Sequence, residues 1–192
     1  MAGLDEAGRG CLFGPVYAAA VILDPERPVR GLNDSKQLTA AKRESLAELI
    51  YQRAVAWSVA HVEAGVIDRI NIYQASRLAM KQALERLDPQ PDYLLVDALR
   101  LDTRIEQKPV IHGDALSHSI AAASILAKVS RDRALREFDQ LYPGYGLAAH
   151  KGYCTRQHLD ALARFGPTPQ HRFSYAPVRG VQLELFPGSE SR

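Results

Sequence analysis

The sequence predicts an α/β layered domain, and three observations carry that prediction. Val16–Leu23 is an unbroken apolar run of strand length, and Tyr93-Leu94-Leu95-Val96 is a shorter one. Stretches with helical spacing alternate with such runs from about Thr39 onward. The longest of these, within Ser117–Tyr142, begins with Ala121, Ala122, Ala123 and Ala127, whose small side chains allow close packing on a sheet.

Taken in order, apolar Met1–Leu4 leads into Asp5-Glu6-Ala7-Gly8-Arg9-Gly10, and the Val16–Leu23 strand follows. Asp24-Pro25-Glu26-Arg27-Pro28 is a turn or loop. Thr39 is placed to cap a helix that runs to about Arg53 and buries Leu46, Leu49 and Ile50. Residues 54–61 alternate as a half-buried strand, with Val55, Trp57 and Val59 on one side and Ala54, Ala56 and Ser58 on the other. Ile72–Leu87 reads as a helix stopped by Asp88-Pro89. Tyr93–Val96 delivers Asp97 at its end, and Lys108–Ile111 is a further short strand before His112-Gly113-Asp114. Asp114 is expected to open the longest helix, which Pro143-Gly144 stops. Residues 145–180 hold one shorter helix, about Thr155–Phe165, among Gly- and Pro-rich pieces. The expected division is therefore 1–144 as the main domain, 145–180 as a small helical subdomain and 181–192 as a tail, with disorder-prone composition from Pro187 on.

Bulk properties narrow the function classes. Of 192 residues, 46% are hydrophobic and 24% charged, an ordinary globular balance rather than a disordered one. No apolar run approaches the ~20 residues that span a bilayer, and the N-terminus lacks signal-peptide character. Cys11 and Cys154 are too few for a disulfide framework or a cysteine-built zinc site, so a cytoplasmic protein is expected. Net charge is only +2, yet Lys128–Arg179 carries nine Lys and Arg against four acids. A basic second part beside an acidic first part suits a polyanion held over a cation site; it equally suits a soluble surface.

Asp5 and Glu6 are adjacent carboxylates followed by two glycines. Like charges held close raise one another's pKa unless something positive binds them. Neighbours on a strand point to opposite faces, so a shared site requires a strand end or turn. One reading is a divalent-metal site beside a backbone that approaches a phosphate or sugar; the other is a solvated acidic loop. Asp97 and Asp114 extend the set to four acids, each beside the end of an element that belongs to one sheet or packs on it. Either alone is also a plain strand-end or capping aspartate. Hard cations such as Mg²⁺ prefer oxygen ligands, and two such ions can assist phosphodiester hydrolysis. Gly8-Arg9-Gly10 lacks the third glycine of a dinucleotide site and the Lys-Ser/Thr of a P-loop.

DEAGRG at 5–10, NDSKQL at 33–38, VDA at 96–98, HGDALSHSIAAASILAKVSRDR at 112–133 and HKGYCT at 150–155 resemble bacterial type 2 ribonuclease H (ribonuclease HII). The resemblance extends to about Val178. It implies a ribonuclease H-like three-layer fold, with a central mixed sheet flanked by helices and a small helical C-terminal subdomain. It also implies that Asp5, Glu6, Asp97 and Asp114 are catalytic ligands of Mn²⁺ or Mg²⁺. Gly8, Arg9 and Gly10 would read the ribose 2′-hydroxyl through backbone groups, and Tyr153 would pack against the sugar. Ser35, Lys36, Ser124, Lys128 and Arg131 occupy motif positions read as phosphate contacts or site support. Asp132 is read as an ion-pair residue rather than a ligand, and His150 and His171 as structural or phosphate-facing. The implied activity is cleavage 5′ to ribonucleotides, in RNA–DNA hybrids and in duplex DNA carrying them, leaving 3′-hydroxyl and 5′-phosphate ends. The departures are Cys11 where the family usually has proline, Cys154 for a glycine, and Ala98 where glycine is common. Finally, Gln182-Leu183-Glu184-Leu185-Phe186 resembles the pentapeptide by which bacterial proteins bind the sliding clamp; docking of Leu185 and Phe186 on their own domain is the alternative. A monomer is the default.

Overall fold

The structure, a computed structural model, describes residues 1–33 and 35–185, with side chains through 181. Five strands form one sheet in the order β3-β2-β1-β4-β5: β1 Ala2–Ala7, β2 Val16–Ile22, β3 Ala56–Val62, β4 Tyr93–Asp97 and β5 Glu106–Val110. The sheet is mixed. β1, β2 and β3 pair antiparallel in sequence, whereas β4 runs parallel to both β1 and β5.

Both faces of β2 are covered, which is why its sequence is apolar without alternation. Ala18 and Ala20 face a core built on Ile67, Ala75, Ala79, Met80 and Ala83 of helix α2 (Ala64–Glu85). Ala19 and Val21 face the opposite core. There α1 (Ala40–Arg53) contributes Leu46 and Ile50, and α4 (His118–Leu141) contributes Ala121–Ala123, Ile125 and Leu126. Burying each Leu or Ile in these layers contributes about 1.5–3 kcal/mol. The alanines instead set the spacing: a Cβ on Gly3 of β1 would lie 2.1 Å from the carbonyl carbon of Ser119. The result is a three-layer α/β sandwich. Among the described residues, no helix is long and apolar enough to cross a membrane.

The expected elements meet the structure with instructive differences. Thr39 caps α1, its hydroxyl accepting from Lys42 N at 3.2 Å. On β3, Ala56, Ser58, Ala60 and Val62 point inward, while Trp57 lies outward against the Tyr51 ring. The expected helix from Ile72 is the second part of α2. A first part, Ala64–Ile70, precedes it and ends at Asn71, whose φ of 64° and ψ of 164° break the helix. The Asn71 side chain accepts from Gln74 N, so it caps the second part. Asp114 does not open the longest helix. It sits in a separate single turn, α3 (Gly113–Leu116), because Ser117 is extended (φ −135°, ψ 123°) before α4 begins.

The C-terminal part comprises α5 (Leu147–His150), α6 (Arg156–Phe165) and α7 (Ala176–Leu185). It is stitched to residues 11–14 by Leu12 N to Gly152 O, Gly14 N to Gln170 O and Arg172 N to Leu12 O, each 2.8–2.9 Å. The α7 backbone passes the expected boundary at 180. The side chains of Gln182, Leu183 and Leu185, the residue Phe186 and everything from Pro187 on lie outside the described residues.

Candidate active site

Parallel neighbours end at the same edge of a sheet, and that brings the acids together. β1 pairs with β4 only as far as Leu4 with Val96, so Asp5 and Glu6 leave the shared ladder beside Asp97, the last residue of β4. Beyond that end the backbone turns sharply: Ala98 has φ 49°, the left-handed region that glycine enters more easily. Asp97 Oδ1 accepts from Gly113 N at 2.8 Å. That contact docks α3, and Asp114 with it, against the strand end.

A cavity of about 220 Å³ opens there, and eleven of the thirteen predicted site residues line it. They are Asp5, Glu6, Asp97, Gly8, Arg9, Gly10, Ser35, Lys36, Ser124, Lys128 and Tyr153. Asp114 and Arg131 do not line it. Asp114 is buried beside it, its Oδ2 3.8 Å from Lys36 Nζ. The Ser35 and Ser124 hydroxyls are 2.8 Å apart and buried.

The acids are held under electrostatic stress. Burial pushes the Asp5 carboxyl well above the usual carboxylate range, and the charges of Glu6 and Asp97 add to it; a Ser124 hydrogen bond and the Glu6 N–H, 2.7 Å from Oδ1, act against it. Burial likewise raises Glu6, countered mainly by Arg9, whose Nη1 lies 3.2 Å from Oε1. The other oxygen, Oε2, is buried with no hydrogen-bond partner among the described residues. An orphaned carboxylate oxygen beside the buried Asp5 and the half-buried Asp97 fits a hard cation, and little else would offset that cost. Among the described residues, no three Asp, Glu, His or Cys side chains approach closely enough to hold one ion as they stand.

The glycine motif forms one wall. Gly8 has φ 97°, and a Cβ there would lie 2.1 Å from Arg131 Nε. Tyr153 forms another wall, 42% exposed, with Lys128 Nζ 5.5 Å from its ring centroid. Lys128 Nζ also donates to Asp132 at 2.7 Å, and Arg43 reaches the same carboxylate at 3.8 Å. Asp132 is thus an ion-pair residue, as expected. Arg131 is a correction to the phosphate-contact reading. It is fully buried and donates to the carbonyls of Pro15, Lys151 and Phe13, so it supports the loop from beneath and cannot reach a phosphate.

The three buried histidines are structural, which leaves out the phosphate-facing alternative for His150 and His171. Thr168 N–H donates to His171 Nδ1 at 2.9 Å, which leaves the proton on Nε2. That nitrogen lies 3.2 Å from His158 Nε2, and His158 Nδ1 lies 3.0 Å from the Tyr153 carbonyl. His150 Nε2 donates to the Tyr145 carbonyl at 2.7 Å. The sequence reading missed Arg172 and Tyr175. Arg172 is fully buried, with Nη1 2.8 Å and the Tyr175 hydroxyl 2.6 Å from the carbonyl oxygen of Arg9. An arginine in a Gly- and Pro-rich stretch gives no sign of burial in a single sequence.

Comparison with known proteins agrees with this arrangement. Among curated relatives, a ribonuclease HII from Solibacter usitatus (strain Ellin6076) is 60% identical over 195 residues, covering 97% of this chain and 86% of its own. The ribonuclease H2 of Pyrococcus horikoshii OT3 matches with TM-score 0.81 at 27% identity, over 98% of this chain and 99% of that one. The RNase HII solved in a PCNA:RNase HII complex from Archaeoglobus fulgidus matches with TM-score 0.80 at 25% identity, over 94% and 96%. Bst-RNase HIII, solved in complex with Mn²⁺, shares the fold at TM-score 0.73 and 18% identity, over 97% and 70%. The mixed sheet flanked by helices is the ribonuclease H-like fold. The family model described as Ribonuclease HII matches residues 2–178. On that match the chain belongs to the ribonuclease HII family, and it is an RNase H-type endonuclease acting on RNA–DNA hybrids.

Proposed function

We propose that the enzyme cuts the phosphodiester 5′ to a ribonucleotide, both within RNA–DNA hybrids and where a ribonucleotide is embedded in duplex DNA. The products carry 3′-hydroxyl and 5′-phosphate ends. One observation carries this reading: the stressed acids Asp5 and Glu6 share a cavity with Asp97, the backbone of Gly8–Gly10 and the ring of Tyr153.

Asp5, Glu6, Asp97 and Asp114 would hold divalent cations, Mg²⁺ or Mn²⁺; the Mn²⁺ complex of a protein with this fold supports that choice. Such a pair of ions supplies an activated water and charge neutralisation for in-line hydrolysis. The chain's own residues do the rest. Lys36, with its side chain 82% exposed, and Lys128 present positive charge to the sugar–phosphate backbone at the cavity. Tyr153 offers an aromatic face to the sugar. The Gly8–Gly10 backbone meets the 2′-hydroxyl, the group that separates RNA from DNA. A site built to hydrogen-bond a hydroxyl rejects the analogue without it by about 10⁴-fold.

The test is a DNA duplex with one ribonucleotide beside the same duplex without it, each with Mg²⁺ or Mn²⁺. Cleavage only of the first, 5′ to the ribonucleotide, is expected. Equal cutting of both would make the enzyme a DNA nuclease of the same fold, and metal-independent binding without cutting would make it a binding module.

For a partner, we propose that Gln182, Leu183, Leu185 and Phe186 bind the replication sliding clamp. The complex of the Archaeoglobus fulgidus enzyme with PCNA supports a clamp as partner of such an enzyme. Leu185→Ala with Phe186→Ala should abolish clamp binding and leave cleavage intact; unchanged clamp affinity would end the idea.

A further inference from the structure

We infer that Arg172 and Tyr175, outside the cavity, are positioning residues that aim the Gly10 N–H at the ribose 2′-oxygen. This rests on the reading that the Gly8–Gly10 loop meets the sugar.

The argument starts from the peptide plane. Across a trans peptide the carbonyl oxygen of one residue and the N–H of the next point in opposite directions. The Arg9–Gly10 bond is trans, since Asp88-Pro89 is the cis peptide among the described residues. Two donors take the Arg9 carbonyl from the interior side, Arg172 Nη1 at 2.8 Å and the Tyr175 hydroxyl at 2.6 Å. The Gly10 N–H must therefore face the other way. Gly10 lines the cavity, and apart from its own chain neighbours no heavy atom lies within 4 Å of where its Cβ would be.

Electrostatics reinforces the orientation. Arg172 pairs with no acid among the described residues: its Nε and Nη2 donate to the Gly14 carbonyl at 3.0 and 2.9 Å, and its Nη1 also reaches the Tyr175 hydroxyl at 3.1 Å. A guanidinium buried against carbonyls is costly compared with an apolar side chain of similar size. What it provides here is a fixed positive charge that attracts the Arg9 oxygen and repels the Gly10 N–H. A flipped peptide would turn that N–H onto the cation. Arg131 backs the same loop at Gly8, so the motif rests on two buried guanidiniums.

The experiment measures affinity for a duplex with one ribonucleotide and for the matching all-DNA duplex. It uses the full chain with Mg²⁺, in an Asp5→Asn background that leaves the substrate uncut. Tyr175→Phe removes one of the two donors and keeps the ring over Arg172; Arg172→Lys keeps the charge and loses the fork. The ratio of the two affinities should fall about 3-fold in Tyr175→Phe and 10-fold or more in Arg172→Lys, with all-DNA affinity unchanged within 2-fold. An unchanged ratio, or equal losses on both duplexes, overturns the inference. Should Arg172→Lys fail to fold, the Tyr175→Phe ratio decides alone. A parent protein with no preference for the ribonucleotide would instead sink the underlying reading of the loop.

Discussion

The Gly113 N–H donates to Asp97 Oδ1 at 2.8 Å, so the strand end that carries one acid is tied to the single helical turn that carries Asp114. The contact leaves no room at position 113. A Cβ there would sit 2.4 Å from Ile120 Cδ1 and 3.2 Å from that same Asp97 oxygen. Gly113→Ala is expected to lower stability by about 1–3 kcal/mol, as overpacking does, and to lower cleavage more than binding because Asp97 is displaced. Thermal unfolding and steady-state kinetics check both; unaltered turnover would show that Asp97 does not depend on this tie.

Asp5→Asn should separate activity from stability. A carboxyl whose folded pKa is raised favours the folded state below its unfolded pKa, and that contribution is lost as pH rises through the folded pKa. Where Asp5 is ionised its charge is thus a burden on the fold, with Glu6 and Asp97 adding to it. Asp5→Asn is expected to melt above the wild type in metal-free buffer and to cleave at least about 100-fold more slowly. Divalent cation should stabilise the wild type, by about 2.7 kcal/mol at a hundred times its Kd, and the variant far less. A variant that melts lower without metal would contradict the stress described here.

The two glycines of the loop should respond differently to alanine. At Gly8 the positive φ and the Arg131 side chain both oppose a Cβ, so a loss of about 1–3 kcal/mol is expected. At Gly10 nothing is in the way, so stability should stay within about 0.5 kcal/mol while cleavage falls, since the methyl enters the cavity. Denaturant unfolding beside cleavage assays distinguishes them. Equal destabilisation of the two would mean the loop is less rigid than its contacts indicate.

Much of this arrangement is legible in the sequence, and the exceptions share a cause. Apolar runs placed β2 and β4, and Asp97 falls at the end of its strand as its run predicts, whereas Asp5 and Glu6 lie inside β1, paired with Ala19 and Ala18, just past the point where β1 leaves β4. The motif positions required the family resemblance; nothing local marks Ser35 or Tyr153 as cavity residues. Asn71 splits α2 by capping it in mid-course, and Ser117 separates Asp114 from α4, so both boundaries turned on single-residue dihedrals. The burial of Arg131 and Arg172 left no local sign, because arginine is mostly exposed. Their burial depends on carbonyls of residues 9–15, more than a hundred positions away in the chain.

Acid should weaken the fold through His171. Burial, with His158 beside it, lowers its pKa from 6.5 to about 3. The unfolded chain therefore binds a proton that the folded one refuses, and stability falls as pH drops from 6.5 toward about 3. At about 1.4 kcal/mol per pH unit, going from pH 7 to 5 costs about 2 kcal/mol. Urea unfolding at the two values should show this loss in the wild type and a smaller one in His171→Asn, whose side-chain oxygen can still accept from Thr168 N. Equal losses in the two proteins would place the acid sensitivity elsewhere.

The guanidinium of residue 172 seated beneath residues 9–14 also has a consequence for biosynthesis. The loop beside the acids emerges from the ribosome long before the cation that fixes its peptide. The sheet can assemble while translation continues, but the surface proposed to distinguish one nucleic acid from another matures only once residue 172 has been made. Nascent chains released before that point would carry the acids without the two donors that hold the Arg9 carbonyl.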